Sequence, residues 1–200
     1  MKTSAIIGIA LVVSSLLLIA VCLFHKREAF FNLQNIVKKH FELFKNSRIN
    51  YVVFYFLPGL FAVGLAMLYS AAIEFYTELS IILGIILSVL LTILSILSNY
   101  DFSTVADEVQ KKKGRKVVED TINAITFSTL LCIFLLLYNL VLIILRTCDL
   151  SWVTWDLSFL KAAVSAVAYY LFAVICLNLL LIVKQMSKII QFNLNVKKES

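Results

Sequence analysis

The residues of this 200-residue chain best suited to metal binding or nucleophilic chemistry are four cysteines and two histidines, and their spacing does not assemble a site. Cys22, Cys132, Cys148 and Cys176 are scattered, with no Cys-x-x-Cys pair. His25 and His40 share one basic segment with no clustered carboxylate or thiol beside them. Gly-x-Ser-x-Gly and His-Glu-x-x-His are absent, as are a phosphate-binding glycine loop and a pair of aspartates in an apolar run. The sequence therefore predicts no catalytic residue, no metal and no cofactor, and the chain reads as non-enzymatic.

A different chemistry is written in the small and polar residues of the apolar stretches. Ser80, Gly84, Ser88 and Thr92 recur every four positions, and Ser95 follows one helical turn later. At 100° per residue they form one slowly drifting stripe on a helix. Small residues at that spacing let helices approach closely, and hydroxyls can bond across the contact. The stripe therefore reads as packing against a helix of the same chain, or as an oligomer interface or pore-lining face. Asn139, Tyr169 and Tyr170 fall at one depth if the last two apolar stretches form a hairpin, so Asn139 is expected to meet a tyrosine hydroxyl. Asn178 falls near the other end, level with Thr126, Ser128 and Thr129. Contacts of this kind are worth roughly 0.6–2 kcal/mol each.

The elements that must position these groups follow from the composition. Hydrophobic residues make up 62% of the chain and charged ones 15%, with a mean hydropathy of +0.96. Soluble domains average roughly 45–50% and about 25%. Five stretches contain no Asp, Glu, Lys, Arg or His: 4–24, 51–73, 79–99, 121–145 and 162–183. Each approaches or exceeds the roughly 20 helical residues that cross a ~30 Å hydrocarbon core. None shows the alternation of a membrane β-barrel strand. The expected fold is an all-α integral membrane protein, a helical bundle of five spans. The single proline lies in the second span, where Pro58-Gly59 predicts a kink. Charged side chains within spans usually mark ion pathways and proton relays. Their absence argues against proton-coupled transport and voltage sensing.

Charge sets the orientation. Segment 25–50 carries six Lys or Arg, segment 100–120 five and the tail 184–200 four, fifteen of the 18 in the chain. Lys/Arg-rich loops stay in the cytoplasm, and five spans put all three segments on one side. This predicts an outside amino terminus and a cytoplasmic carboxyl terminus in the inner (plasma) membrane. Residues 1–24 form the first anchor; cleaved as a signal peptide, they would leave four spans. No small-x-small site precedes His25-Lys26-Arg27, so the anchor is expected to stay. Residues 51–99 and 121–183 form two hairpins, the second with an outer loop at 146–161. Trp152 and Trp155 in that loop read as interfacial anchors. Only Cys148 is expected outside, so an internal disulfide is not.

On the cytoplasmic side, Phe30, Leu33, Val37, Phe41 and Phe44 fall within roughly 80° of one another on a helix. Lys38 and Lys39 lie off that stripe. Such a segment is expected to lie on an anionic inner leaflet, with docking under the bundle or on a soluble partner as the competing arrangement. Segment 100–120 reads as a charged loop. Thr104 and Asp107 could open a short helix that Gly114 ends or turns. Its run Lys111, Lys112, Lys113, Arg115 and Lys116 is a topology signal that suits phosphates of lipid head groups. It lacks an aromatic platform for nucleic acid. The general plan resembles the membrane subunits of bacterial anti-phage or immunity systems such as Kiwa. This resemblance of architecture implies a sensor component of antiviral defence.

The functional expectation is a multispanning scaffold or sensor subunit that forms homo-oligomers and recruits or signals to a cytoplasmic protein partner. A pore- or channel-forming effector is the alternative, and a membrane enzyme the third reading. The five-span map makes Cys148 accessible to an impermeant thiol reagent in intact cells. Labelling only after permeabilisation would invert or shorten the map.

Overall fold

A computed structural model describes residues 33–42, 52–69, 72–100, 108–147 and 158–199, with residues 8, 14 and 49. Nearly all of these residues are helical. Five α-helices follow one another: α1 (Leu33–Glu42), α2 (Leu57–Leu68), α3 (Ile73–Ser98), α4 (Glu108–Thr147) and α5 (Ser158–Glu199). A π-helical turn, Val52–Phe56, leads directly into α2. Three helices, α3, α4 and α5, are long and apolar enough to cross a membrane. The apolar run Val52–Leu68 is shorter; even fully α-helical it would reach only about 26 Å. Of the first apolar stretch, 4–24, only residues 8 and 14 are described, and Trp152, Trp155, Phe30, Phe44, Thr104 and Asp107 lie outside the described residues.

The second apolar stretch changes from π to α form just before the proline. Pro58 has no N–H, and its ring would press on the carbonyl four residues back in an α-helix. The wider π turn ends at Phe56, and Pro58 occupies the first turn of α2. The helix stops at Leu68, and Tyr69 is extended. The inner face of α2 is Pro58, Ala62 and Ala66, all buried at four-residue spacing. This flat strip lets α2 lie closely on α5.

The central packing uses a different period. On α3 the buried residues include Tyr76, Leu83, Leu90 and Leu97, seven apart. On α5 the series is Ala168, Ile175, Ile182 and Ile189, again seven apart. Between them α4 buries Val118, Thr121, Ile125, Ser128, Cys132, Leu135 and Asn139, alternating steps of three and four. A repeat averaging 3.5 residues keeps one line of side chains facing a neighbour along gently supercoiled antiparallel helices. The bundle is thus ordered α3–α4–α5–α2, with α4 packed on both α3 and α5. Its outer surface is apolar, with Met67 81% and Leu68 80% exposed and Phe61, Ile81, Ile85, Leu140, Leu180 and Val183 also bare. Such an apolar exterior suits hydrocarbon as solvent.

Two boundaries differ from the sequence-based expectation. Glu74 and Glu78, in the charged gap between the stretches 51–73 and 79–99, belong to the first turns of α3, where carboxylates complement the helix dipole. Segment 100–120, expected as a loop turned at Gly114, is helical from Glu108 onward, and Gly114 is buried inside α4. A mid-helix glycine costs about 1 kcal/mol relative to alanine. Here Lys, Arg, Gln and Glu, all good helix formers, surround it, and burial of Val118 against α5 offsets the cost. The tail 184–199 likewise continues α5 without interruption.

The α2–α5 contact makes a prediction. Ala62→Phe should overpack it and destabilise the protein by about 1–3 kcal/mol, whereas Val63→Phe, at an exposed position, should leave it nearly unchanged. Thermal unfolding in mild detergent reads the difference; equal effects would contradict the packing.

Candidate functional site: two polar ends of an apolar bundle

Polar side chains cluster at the two ends of the bundle. The first cluster lies where α3 begins, α4 ends and α5 begins. Tyr76 Oη and Ser165 Oγ share a hydrogen bond of 3.2 Å. The Tyr138 hydroxyl donates to the Val164 carbonyl at 2.9 Å. Asn139 Nδ2 donates to Ser80 Oγ at 3.3 Å, and the Ser80 hydroxyl donates to the Tyr76 carbonyl at 2.8 Å. The ring of Phe75 meets that of Tyr169 edge-on, with centroids 5.1 Å apart. Three helices are therefore tied by one set of contacts at one level. Asn139 finds its partner on α3, not in a tyrosine of α5, because the seven-residue repeat of α4 turns position 139 toward that helix. Tyr138, which the sequence reading passed over, makes the link to α5 instead. Tyr170 packs toward α2, within ordinary contact of the space above Gly59.

The Ser80–Ser95 stripe divides along its length. Ser80 joins the cluster just described and Gly84 is half-buried, but Ser88, Thr92 and Ser95 are exposed. Their chemistry also differs from the expected bonding across a contact. Ser88 donates to the Gly84 carbonyl at 3.0 Å and Thr92 to the Ser88 carbonyl at 2.9 Å. Bonded to their own helix, these hydroxyls need no partner, and they leave a shallow polar track on an otherwise aliphatic face. Farther along the bundle, Asn178 is buried and donates to the Val174 carbonyl at 3.0 Å. Asn178 and Asn139 thus bond to separate partners. The Thr129 hydroxyl is buried, with no hydrogen-bond partner among the described residues.

The second cluster lies at the basic end. Helix α1 packs against α4. His40 is fully buried, its ring stacked on Phe127 with centroids 3.8 Å apart and planes 9° from parallel. Phe41 sits 5.0 Å from the ring of Tyr55 in the π turn. Val37 is half-buried and Lys38 exposed. Lys39 pairs with Glu119 at 3.5 Å, largely in solvent, so the pair adds little. The described part of the segment thus packs on the bundle, as in the competing arrangement. The reason is aromatic. Phe127 and Tyr55 offer His40 and Phe41 flat rings at the spacing of adjacent residues on α1. Leu33 starts this helix. Beyond α1, α4 displays Lys112, Lys113, Arg115 and Lys116 to solvent, while Lys111 reaches Glu108 at 3.4 Å.

Burial against Phe127 lowers the His40 pKa from 6.5 to about 4, because an imidazolium loses its hydration there. His40 is neutral when docked. An undocked α1 binds a proton below its ordinary pKa, so docking is fully favoured above about pH 6.5 and weakens as pH falls toward 4. The steepest loss is about 1.4 kcal/mol per pH unit. Amide hydrogen exchange in 33–42, corrected for intrinsic rates, should rise across that window. His40→Phe should abolish the dependence, and an unchanged profile in that variant would assign it to another group.

Comparisons of the chain with protein-family models, curated proteins and solved structures give no match, so function is argued from the geometry alone.

Proposed function

We propose that the chain is a non-enzymatic, five-span subunit of the cell membrane, amino terminus outside, which associates with further copies and presents a basic helical stem to a cytoplasmic protein partner. The observation that carries this reading is the length of α4 and α5. They contain 40 and 42 residues, where about 20 suffice to cross the hydrocarbon. Past their apolar runs at the basic end they extend by about 20 Å and 24 Å. A simple anchor has no use for two long helices projecting together. The stem carries a dense field of exposed cations on α4, which suits an acidic protein surface, and α1 braces its root.

Self-association is supported by the exposed part of the α3 stripe. Ser88, Thr92 and Ser95 present small side chains, the first two with hydroxyls already bonded to their own helix, so another backbone can approach without stranding those groups. The same face lining a central path in a ring of copies is the alternative reading, a pore. Ser88→Leu with Thr92→Leu should lower the assembly size of the mildly extracted protein, and should reduce recovery of a cytoplasmic partner bound through several stems. Recovery of only a monomer, with no partner, from the unaltered protein overturns the proposal. Steady conductance of the purified protein in planar bilayers favours the pore over a silent scaffold.

A further inference from the structure

At the root of the stem, α4 and α5 separate enough to leave a crevice of about 110 Å³. Seating one water takes roughly 10–15 Å³ on the same measure, so a group of several atoms fits. The walls are Val117 and Val118 of α4 with Ile189 and Phe192 of α5, closed on one side by Tyr100 just after α3. Two cations, Lys113 and Lys188, stand on the rim, one from each helix. Both are exposed. Neither is paired with a carboxylate within 4 Å among the described residues. Gly114, buried in α4, lines the crevice as well.

The position along the helices matters as much as the lining. Lys188 lies five residues past the end of the apolar run 162–183, and Lys113 eight residues before the start of 121–145. At 1.5 Å per residue these are about 8 Å and 12 Å beyond the hydrocarbon edge. Their flexible stems can bring both ammonium groups back toward the phosphate level. The valines are nearer the edge, at about 5–6 Å. On α5, Ile189 and Phe192 lie at about 9 Å and 14 Å, level with and beyond Lys188, so the apolar wall runs from the valines near the hydrocarbon edge out to the level of the two cations, the span a phospholipid's glycerol and phosphate occupy.

We infer that this crevice binds the head group of an anionic phospholipid, its phosphate held between Lys113 and Lys188 and its glycerol region against Val117 and Val118. Basic pockets between membrane helices recognise anionic head groups in this way. Asp120 lies within electrostatic reach of Lys188 and Lys116. It tempers the local positive charge, so the site selects a lipid also held by apolar contact over a free anion held by charge alone. The inference uses the proposed topology only to say that the inner leaflet supplies the lipid. Binding in detergent has no sidedness, so its outcome is independent of Cys148 labelling.

The test uses the full chain in mild detergent, with binding counted by native mass spectrometry against added dioleoylphosphatidylglycerol or dioleoylphosphatidylcholine. The expected result is preferential retention of phosphatidylglycerol. Lys113→Gln with Lys188→Gln should weaken it roughly fivefold per lysine, or about thirtyfold together. Lys112→Gln with Lys116→Gln removes the same charge from the neighbouring surface and should change it less than threefold. Val118→Trp keeps every charge but fills the crevice, and should also abolish the preference. Circular dichroism identifies any variant that has lost its helices, and the remaining substitutions then decide. Equal losses from both lysine pairs would overturn the site in favour of diffuse attraction. Competition by millimolar inorganic phosphate as strong as by the lipid would overturn the lipid assignment.

Discussion

Association of helices in hydrocarbon lacks the drive that organises a soluble core, since lipid tails are as apolar as leucine. What remains is fit, and in this bundle the fit is concentrated on α4. Ile125, Cys132 and Leu135 are completely enclosed, while one edge of their helix meets α3 and the other meets α5. The seven-residue repeats of the outer two helices have meaning only against this central one. Helix α2 joins through α5 by another device, a flat strip of proline and alanine. Two packing modes therefore coexist, interlocked large side chains at the centre and close backbone approach at the margin.

Polar groups are handled by locality. Serine and threonine hydroxyls on α3 and α4 return their protons to carbonyls one turn back, as in the bonds from Thr121 to Val117 and from Ser128 to Ala124. The bonds that cross between helices gather near the helix ends. There Tyr76, Tyr138, Asn139, Ser80 and Ser165 join three helices in one ring of contacts. This division leaves the middle of the bundle to dispersion forces and puts the specific, directional bonds where they fix helix register.

Much of the helical plan was legible in the sequence because uncharged runs of membrane length have few alternatives to helix. The partner of Asn139 was not, because depth alone says nothing of azimuth. Reading the alternating three- and four-residue steps on α4, from Val118 to Asn139, would have turned that residue toward α3. The strip Pro58, Ala62, Ala66 was equally visible but was overshadowed by the longer stripe on α3. The continuity of α4 through Gly114 and of α5 through Lys184 was hidden because charge marks where a membrane ends, not where a helix does. Docking of α1 was one of two arrangements its sequence allowed, since an amphipathic pattern fits a lipid surface and a protein groove alike.

A helix that does not stop at the membrane edge is a lever. The stem of α4 reaches about 38 Å from the middle of its apolar run to Glu108, so a 5° tilt there moves the tip by about 3 Å. That displacement is comparable to the diameter of a water molecule. It arrives without any hinge, because among the described residues neither α4 nor α5 is interrupted between its apolar run and its basic end. In a bilayer, a lean imposed at the far end of the apolar run would reach those charged residues as motion.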